Sequence, residues 1–252
     1  MNVLVTSGGT VEKIDEVRSI TNMATGRLGS LIADAFAAES RVDDVYYVCG
    51  KAAIRPASDS VKIMHVEGVS DLEDALKKTL ATAKIDIIVH GMAVSDYRIR
   101  SVTSVSALAD LALQDRSITG NQDRTAASAE LASMMWENMP DMRTGGKIGS
   151  DIDDMLLVLE RTPKIISLFS ELSPQSTLVG FKLLHNVPKE TLIDEGFRIL
   201  TKNGCSFVLA NDLIDIEGER HLGYLIDKDK RYVQCSTKQE IAAAIVSGTI
   251  GL

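Results

Sequence analysis

Ile85-Asp86-Ile87-Ile88-Val89-His90 is a short, nearly unbroken apolar run, and it passes straight into Gly91-Met92-Ala93-Val94-Ser95-Asp96-Tyr97-Arg98, a stretch of small residues leading to a carboxylate. A run of this length closed by a glycine predicts a strand covered on both faces. Similar runs lie at 3–6, 45–49 and 61–66, with helical patterns at about 27–39 and 71–82 between them. Strands alternating with helices predict parallel pairing through right-handed crossovers, so the first half reads as doubly wound. Ligands of such sheets sit beyond the carboxyl ends of the strands, which makes 91–98 a candidate binding edge.

A second candidate edge is Thr21-Asn22-Met23-Ala24-Thr25-Gly26-Arg27-Leu28-Gly29. Asn22 stands just before a helical stretch, and Gly26 and Gly29, three apart, let backbone amides approach an anion at a helix N-terminus. A phosphate or carboxylate suits that spot. Asp96, in the other segment, can hold a hard cation such as magnesium through a nucleotide phosphate. The two segments are expected to share one pocket for a phosphorylated substrate.

The rest of the chain fits around this core. The stretch 101–146 is rich in Ser, Thr, Ala and Asp, with one amphipathic helix expected at 125–138 carrying Met134, Met135 and Trp136. It reads as a lid-like insertion. The rhythm resumes with a strand at 155–160, Pro163 opening a helix at its tolerated first position, a strand at 177–184, a helix at about 189–202 and a strand at 206–210. Residues 222–226 and 231–235 flank the turn Asp227-Lys228-Asp229-Lys230 as an antiparallel hairpin, and Thr237 caps a last helix. The expected fold is therefore α/β: one doubly wound domain over 1–252, with a mostly parallel Rossmann-like sheet, a C-terminal antiparallel hairpin and an insertion or flap at about 101–150.

Composition narrows the function. Apolar residues make up 45% of the chain and charged residues 25%, and the mean hydropathy is +0.06. No apolar run is long enough to span a bilayer, and the opening Met1-Asn2-Val3-Leu4-Val5-Thr6 reads as a strand without the basic start of a signal peptide, so a cytoplasmic location is expected. A net charge of −8 argues against nonspecific nucleic-acid or anionic-membrane binding. Cys49, Cys205 and Cys235 are odd in number and far apart, as expected of buried structural thiols. The four histidines show no metal-pair spacing, and none is assigned to a metal.

Four weaker signals remain. Ser7-Gly8-Gly9-Thr10 follows the first strand as a phosphate loop would, yet it lacks both G-x-G-x-x-G and Gly-Lys-Ser/Thr and reads alone as a tight turn. Tyr224 and Lys228 have the Y-x-x-x-K spacing of short-chain dehydrogenases, but on a strand they cannot share a helical face. Lys147, after Gly145-Gly146, is either a solvated loop residue or an ammonium poised over a phosphate or acyl-adenylate-type intermediate. Arg198 and Lys202 lie one turn apart on a helix, which alone reads as a solvated face.

Taken in order, Val5-Thr6-Ser7-Gly8-Gly9-Thr10, Ile14-Asp15-Glu16-Val17-Arg18-Ser19-Ile20-Thr21-Asn22, Thr25-Gly26-Arg27-Leu28-Gly29, Ala93-Val94-Ser95-Asp96-Tyr97-Arg98, Val179-Gly180-Phe181 and Ala210-Asn211-Asp212 resemble the phosphopantothenoylcysteine synthetase family over nearly the whole chain. The resemblance implies the stand-alone bacterial form, with no decarboxylase domain before Met1. It implies a ligase of coenzyme A biosynthesis that activates 4′-phosphopantothenate with CTP and magnesium, then joins it to L-cysteine, as a homodimer. It also implies roles: Asn22 for the acyl-nucleotide; Arg18, Asn22, Gly26 and Ala93 for phosphopantothenate; Asp96 for the nucleotide and its magnesium. Gly91, Met92, Ala93, Pro163, Lys164, Ile165, Ile166, Phe181, Arg198 and Lys202 would line the nucleotide site. Lys147 matches the first lysine of a Lys-x-Lys-Lys motif serving amide formation, which here continues as Ile148-Gly149-Ser150; Lys147 would also touch the nucleotide. The competing readings are an NAD(P)-binding oxidoreductase and a non-catalytic nucleotide-binding protein.

Overall fold

The computed structural model describes residues 1–114, 124–143 and 146–251. These divide into two compact units: Met1–Val11 with Thr21–Ser95 and Pro163–Leu252, and Glu12–Ile20 with Asp96–Thr162.

The first unit is built on an eight-stranded sheet. Its strands are β1 (Asn2–Ser7), β4 (Asp44–Gly50), β5 (Lys62–Val66), β6 (Ile87–His90), β9 (Thr177–Leu184), β10 (Phe207–Glu217), β11 (Arg220–Asp227) and β12 (Tyr232–Thr237). They lie in the order β12-β11-β10-β9-β6-β1-β4-β5. Neighbours from β5 to β10 are parallel, while β10–β11 and β11–β12 are antiparallel. The doubly wound expectation and the C-terminal hairpin both hold.

Alternation along β1 explains the layers. Val3 and Val5 face helices α1 (Arg27–Ala37) and α7 (Lys238–Ile250), joining Ile32, Phe36, Tyr47, Ile241 and Ile245 in one core. Leu4 points the other way, into a core with Leu72 and Leu76 of α2 (Val69–Thr82), Ile165 and Phe169 of α5 (Ile165–Leu172) and Leu200 of α6 (Lys189–Asn203). The central strands β1 and β6 are thus covered on both sides, which is why their sequences read as continuous apolar runs, whereas the edge strand β12 is largely exposed. Thr237 caps α7, accepting the Glu240 amide at 3.1 Å, as its position predicts. The helix after Pro163 starts later than expected: Lys164 is its N-cap and Ile165 its first residue, so the proline precedes the helix rather than opening it.

From β1 the chain winds outward to β4 and β5, then returns to β6 on the opposite side of β1. The gap between the ends of β1 and β6 is therefore the switch point at which an open α/β sheet binds ligands.

The second unit contains β7 (Tyr97–Ser104) and β8 (Met155–Arg161), paired antiparallel as their own two-stranded sheet, with helices α3 (Val105–Gln114) and α4 (Arg124–Asn138). The strand expected at 155–160 forms, but outside the parallel sheet. An apolar run shows that a strand is covered without showing by what. Here the residues of β8 are only partly covered, and the small core is Ile99, Val102 and Ile148 with Ile14, Ile152, Met155 and Leu157. The helix expected at 125–138 is present, yet none of its residues is buried, and Trp136 is 54% exposed. The short ribbon of β2 (Val11–Lys13) and β3 (Ser19–Thr21) carries the turn that contributes Glu12–Ile20. Gly145 and the part of the expected insertion at 115–123 lie outside the described residues.

Candidate functional site

A cleft of the first unit opens at the switch point and holds about 380 Å³. The end of β1 supplies Thr6, Ser7 and Gly8, and the turn after β6 supplies Gly91, Met92 and Ala93. Met23, Ala24 and Thr25, with the first residues of α1, form another wall. The two segments singled out in the sequence thus meet in one pocket.

Hydrogen bonds hold this junction. The Ala93 amide donates to the Gly8 carbonyl at 2.8 Å, and the Ala93 carbonyl accepts from the Thr10 amide at 3.2 Å and from Asn22 Nδ2 at 3.2 Å. Thr10 Oγ1 donates to Ser95 Oγ at 3.0 Å and accepts the Ser95 amide at 2.9 Å. At the base of β6, Thr6 Oγ1 lies 2.8 Å from His90 Nδ1, and burial pushes the His90 pKa down to about 4.

The helical wall depends on two glycines. Gly26, the N-cap of α1, has φ 76°, a left-handed conformation that favours glycine. At Gly29 an added Cβ would stand 2.1 Å from Ser7 Oγ, so only glycine lets α1 approach β1 this closely. Gly26 has no side chain to cap α1, whose first amides have no partners within the helix, although Thr25 Oγ1 accepts the Arg27 amide at 3.3 Å. They give the cleft an anion-binding end. The helix begins five residues after Asn22 rather than directly behind it. Asn22 lines a second hollow of about 360 Å³ with Gly9, Lys51 and Glu67; the two cavities share Met23, Ala24 and Thr25. Its amide reaches back to Ala93 at the edge of the first.

Phe181 on β9 lines the cleft opposite Gly91, where an added Cβ would meet its ring at 3.5 Å. Met92 is buried beside them. The other expected nucleotide residues of the first unit do not line this cleft. Pro163 and Lys164 are exposed, Ile165 is core, and Ile166 packs partly against that core. Arg198 and Lys202 are on the exposed face of α6, and Arg198 Nη2 is 2.6 Å from Glu195 Oε2. Of Ala210-Asn211-Asp212, Asn211 lines the cleft, whereas Asp212 accepts the amides of Asn186, Val187 and Ile214, which holds its carboxyl below the usual range.

Three expected residues belong to the second unit. Arg18 donates from Nε and Nη2 to Asp15 Oδ2 at 3.0 and 2.6 Å, and from Nη2 to the Ile148 carbonyl at 2.9 Å. The Ile148 amide returns to Asp15 Oδ2 at 3.1 Å. Arg18 and the segment of Lys147 are therefore tied to one carboxylate. The Arg18 guanidinium, aided by the Val17, Arg18 and Ile148 amides, holds that carboxyl far below the usual range. Lys147 itself is exposed, and Asp96 closes β7 against β8 through its carbonyl, which accepts the Thr162 amide at 3.0 Å.

Two cleft residues escaped the sequence reading. His221 on β11 and Lys238 at the start of α7 both line the cleft and are 5% and 7% exposed. An isolated histidine and a lysine one residue after a helix cap carry no motif; only the antiparallel return of the chain brings them to this wall.

The model of the DNA/pantothenate metabolism flavoprotein C-terminal domain matches residues 1–107 and 102–251. The chain belongs to this family. It is 29% identical over 241 residues to the coenzyme A biosynthesis bifunctional protein CoaBC of Thermococcus kodakarensis, covering 95% of this chain and 48% of that protein. The crystal structure of the DNA/pantothenate metabolism flavoprotein from Streptococcus pneumoniae superposes with a TM-score of 0.79 at 30% identity, covering 100% of this chain and 99% of that one. A Cab2 mutant in complex with phosphopantothenate-cysteine shares the fold, with a TM-score of 0.64 at 15% identity over 99% of this chain and 85% of that one. The chain spans about half the length of the curated relatives it matches.

Other features of the DNA/pantothenate metabolism flavoprotein C-terminal domain in this chain follow from burial. Tyr224 of the Y-x-x-x-K spacing is a buried strand residue stacked edge-on against Tyr232, not a helical proton donor. Cys49, Cys205 and Cys235 are free and buried, and burial pushes the Cys49 and Cys205 thiols up to about 11 and 12. Such thiols are inert at neutral pH. Among the described residues no three of His, Cys, Asp and Glu are grouped to hold a metal ion, and no helix is long and apolar enough to cross a membrane.

Proposed function

We propose that this protein is a phosphopantothenate–cysteine ligase. One observation carries the reading: the Asn22 segment, the Gly91–Ala93 turn and the start of α1 converge on a cleft at the switch point, in a chain of the DNA/pantothenate metabolism flavoprotein C-terminal family that is similar to CoaBC.

In the first step a carboxylate oxygen of 4′-phosphopantothenate attacks the α-phosphorus of CTP. The bond from that phosphorus to the bridging oxygen breaks, and pyrophosphate leaves. In the second step the cysteine amine attacks the acyl carbon of the acyl-cytidylate, CMP departs with the bridging oxygen, and the nitrogen loses a proton as the amide forms. Both steps demand charge neutralisation and placement more than a strong base.

The α1 amides supply neutralisation in the cleft, with Gly26 shaping their approach. Asn22, already held at the Ala93 carbonyl, donates its amide to the developing oxyanion. Gly91, Met92 and Ala93 leave room beside Phe181 for the base. Pro163, Lys164, Ile165 and Ile166, with Arg198 and Lys202, serve the nucleotide as the sequence resemblance implies, as do Asp96 and Lys147. Arg18 serves phosphopantothenate within a homodimer. Asp96 offers a hard oxygen suited to magnesium, which would draw its remaining ligands from phosphate and water and neutralise the triphosphate when bound.

Purified protein with magnesium, 4′-phosphopantothenate and either CTP or ATP, assayed for pyrophosphate and product mass with and without cysteine, tests this. Cysteine-dependent phosphopantothenoylcysteine with CMP is expected, with much weaker turnover on ATP. Equal rates with both nucleotides would sink the CTP preference, and no product with either would sink the ligase reading. Lys147→Ala is expected to slow amide formation more than pyrophosphate release; equal losses would remove its assigned role.

A further inference from the structure

The ligase reading gives phosphopantothenate and the nucleotide their residues but leaves the attacking amino acid without a site. The second hollow, of about 360 Å³, has the size of a small-ligand pocket and no task. It lies at the carboxyl ends of β4 and β5, where Gly50 passes into Lys51 and Val66 into Glu67. Its walls are closely fitted backbone. An added Cβ at Gly9 would stand 2.5 Å from the Asn22 carbonyl oxygen, and one at Gly50 would stand 2.7 Å from the Gly9 carbonyl oxygen. The Val11 amide donates to the Glu67 carbonyl at 2.8 Å, and the Ile54 amide donates to the Thr25 carbonyl at 2.9 Å, so the strand ends around the hollow are tied to one another.

Among the described lining residues the charges are one ammonium and one carboxylate, with Lys51 Nζ 3.8 Å from Glu67 Oε2. That separation is too long for a hydrogen bond between them, and an exposed pair of this kind contributes little, so a ligand can part it at small cost. A phosphate calls for an excess of positive charge. An α-amino acid instead brings a carboxylate and an ammonium on one carbon, the complement of Lys51 and Glu67. Ala52, Ala53 and Val66 offer an apolar wall to a short thiol side chain. Asn22 joins this hollow to the cleft: it lines the hollow, while its Nδ2 reaches the Ala93 carbonyl at the cleft edge.

We propose that the second hollow is an amino-acid subsite in which Lys51 binds the α-carboxylate and Glu67 the α-ammonium. That the amino acid is L-cysteine rests on the ligase reading; the charge pattern of the subsite does not. The ammonium gives one proton to Glu67, which frees its lone pair for the acyl carbon, and the nitrogen loses its second proton as the amide forms.

The experiment compares L-cysteine with 2-aminoethanethiol, which has the same amine and thiol but no carboxylate, in the full reaction with magnesium, CTP and 4′-phosphopantothenate. The proteins are the wild type, Lys51→Met, Lys51→Arg and Glu67→Gln. Binding of L-cysteine to each is followed in parallel by saturation-transfer NMR under reducing conditions. A charge-assisted hydrogen bond corresponds to about tenfold, so the wild type is expected to favour L-cysteine over 2-aminoethanethiol by at least about tenfold in kcat/KM. In Lys51→Met that preference should collapse toward unity through a raised KM for L-cysteine, and Lys51→Arg should keep most of it. Glu67→Gln should lower kcat/KM for both amines alike, because both carry the group it holds. An unchanged preference in Lys51→Met would overturn the assignment. So would a loss that appears equally in single-turnover pyrophosphate release without any amine, which would place Lys51 with the nucleotide. If the wild type forms no product, the ligase reading fails and binding decides: L-cysteine binding that is lost in Lys51→Met leaves the subsite standing, and no binding, or binding indifferent to Lys51, removes it.

Discussion

The two compact units are held by opposite means. In the first, the central strands of an eight-stranded sheet are covered on both faces, and its buried imidazoles and thiols are kept neutral, His90 and His221 as free bases and Cys49 and Cys205 as thiols, while Asp212 is a carboxylate held by backbone amides. In the second, a core of Ile99, Val102 and Ile148 is small, and the pin is a charge. Asp15 accepts the Val17, Arg18 and Ile148 amides and the Arg18 guanidinium. Neutral burial is undone by protonation of a base, whereas an ionic pin is undone by protonation of an acid. The same chain should therefore weaken in two different pH windows, one for each unit.

The largest expected effect tests whether the acyl chemistry belongs to the first unit. Removing a donor aimed at a developing oxyanion costs about 10²–10³-fold in kcat, so Asn22→Ala should lose at least about 10²-fold in product formation. The fluorescence of Trp136, the chain's single tryptophan and a residue of the second unit, should not change. A loss below tenfold would move the acyl-nucleotide away from the cleft.

Acid titration comes next. The folded pKa of His90 lies below its unfolded value of 6.5, so the unfolded state binds the proton more tightly. Stability is complete above pH 6.5, falls as pH drops toward about 4, and levels off below it. The loss from His90 is about 3 kcal/mol, and His221 acts in the same direction. Thermal unfolding followed by near-ultraviolet dichroism, to which the buried Tyr47 contributes, should show the melting temperature falling across that window. A transition flat from pH 7 to 4.5 would show that these imidazoles are solvated, and the contrast between the units would collapse.

Gly29→Ala tests the close packing of the first unit alone. The new methyl meets Ser7 Oγ on a buried strand, and such overpacking costs about 1–3 kcal/mol. Denaturant unfolding should shift its midpoint by that amount; an unchanged midpoint would mean that α1 moves off β1 freely. Double substitution with Ser7→Ala should recover part of the loss.

What the sequence made legible follows from the same division. The parallel strands and the cleft edges of the first unit could be read because full burial writes itself as apolar runs, and turns at a switch point write themselves as glycines and small residues. Thr237 as a cap is a local signal that needed no tertiary context. The run at 155–160 carried the same apolar signature as a central strand, and nothing within it tells that its partner is β7 rather than the large sheet. His221 and Lys238 reach the cleft only because β11 turns back along β10 and α7 follows, a long-range event with no local trace. Asp15 was quoted within a motif but not singled out, since its value lies in binding Ile148, which is 133 positions away.

The smallest expected effect isolates that last contact. Asp15→Asn keeps the shape of the side chain but removes its charge, so the Arg18 pair and the amides of Val17, Arg18 and Ile148 lose a charged acceptor. Hydrogen exchange at Ile148 should quicken, while amides of β1 and β6 keep their protection and the global transition barely moves. The wild type supplies the matching acid control. Because the Asp15 carboxyl is held below its unfolded pKa near 4, its contribution is present above that pH and is lost as pH falls through the depressed folded value. Protection at Ile148 should therefore survive the window in which the histidines weaken the first unit and decline only in stronger acid, and in Asp15→Asn this acid dependence should vanish. If protection at Ile148 instead faded between pH 6.5 and 4 together with β1, the carboxylate would not be the pin.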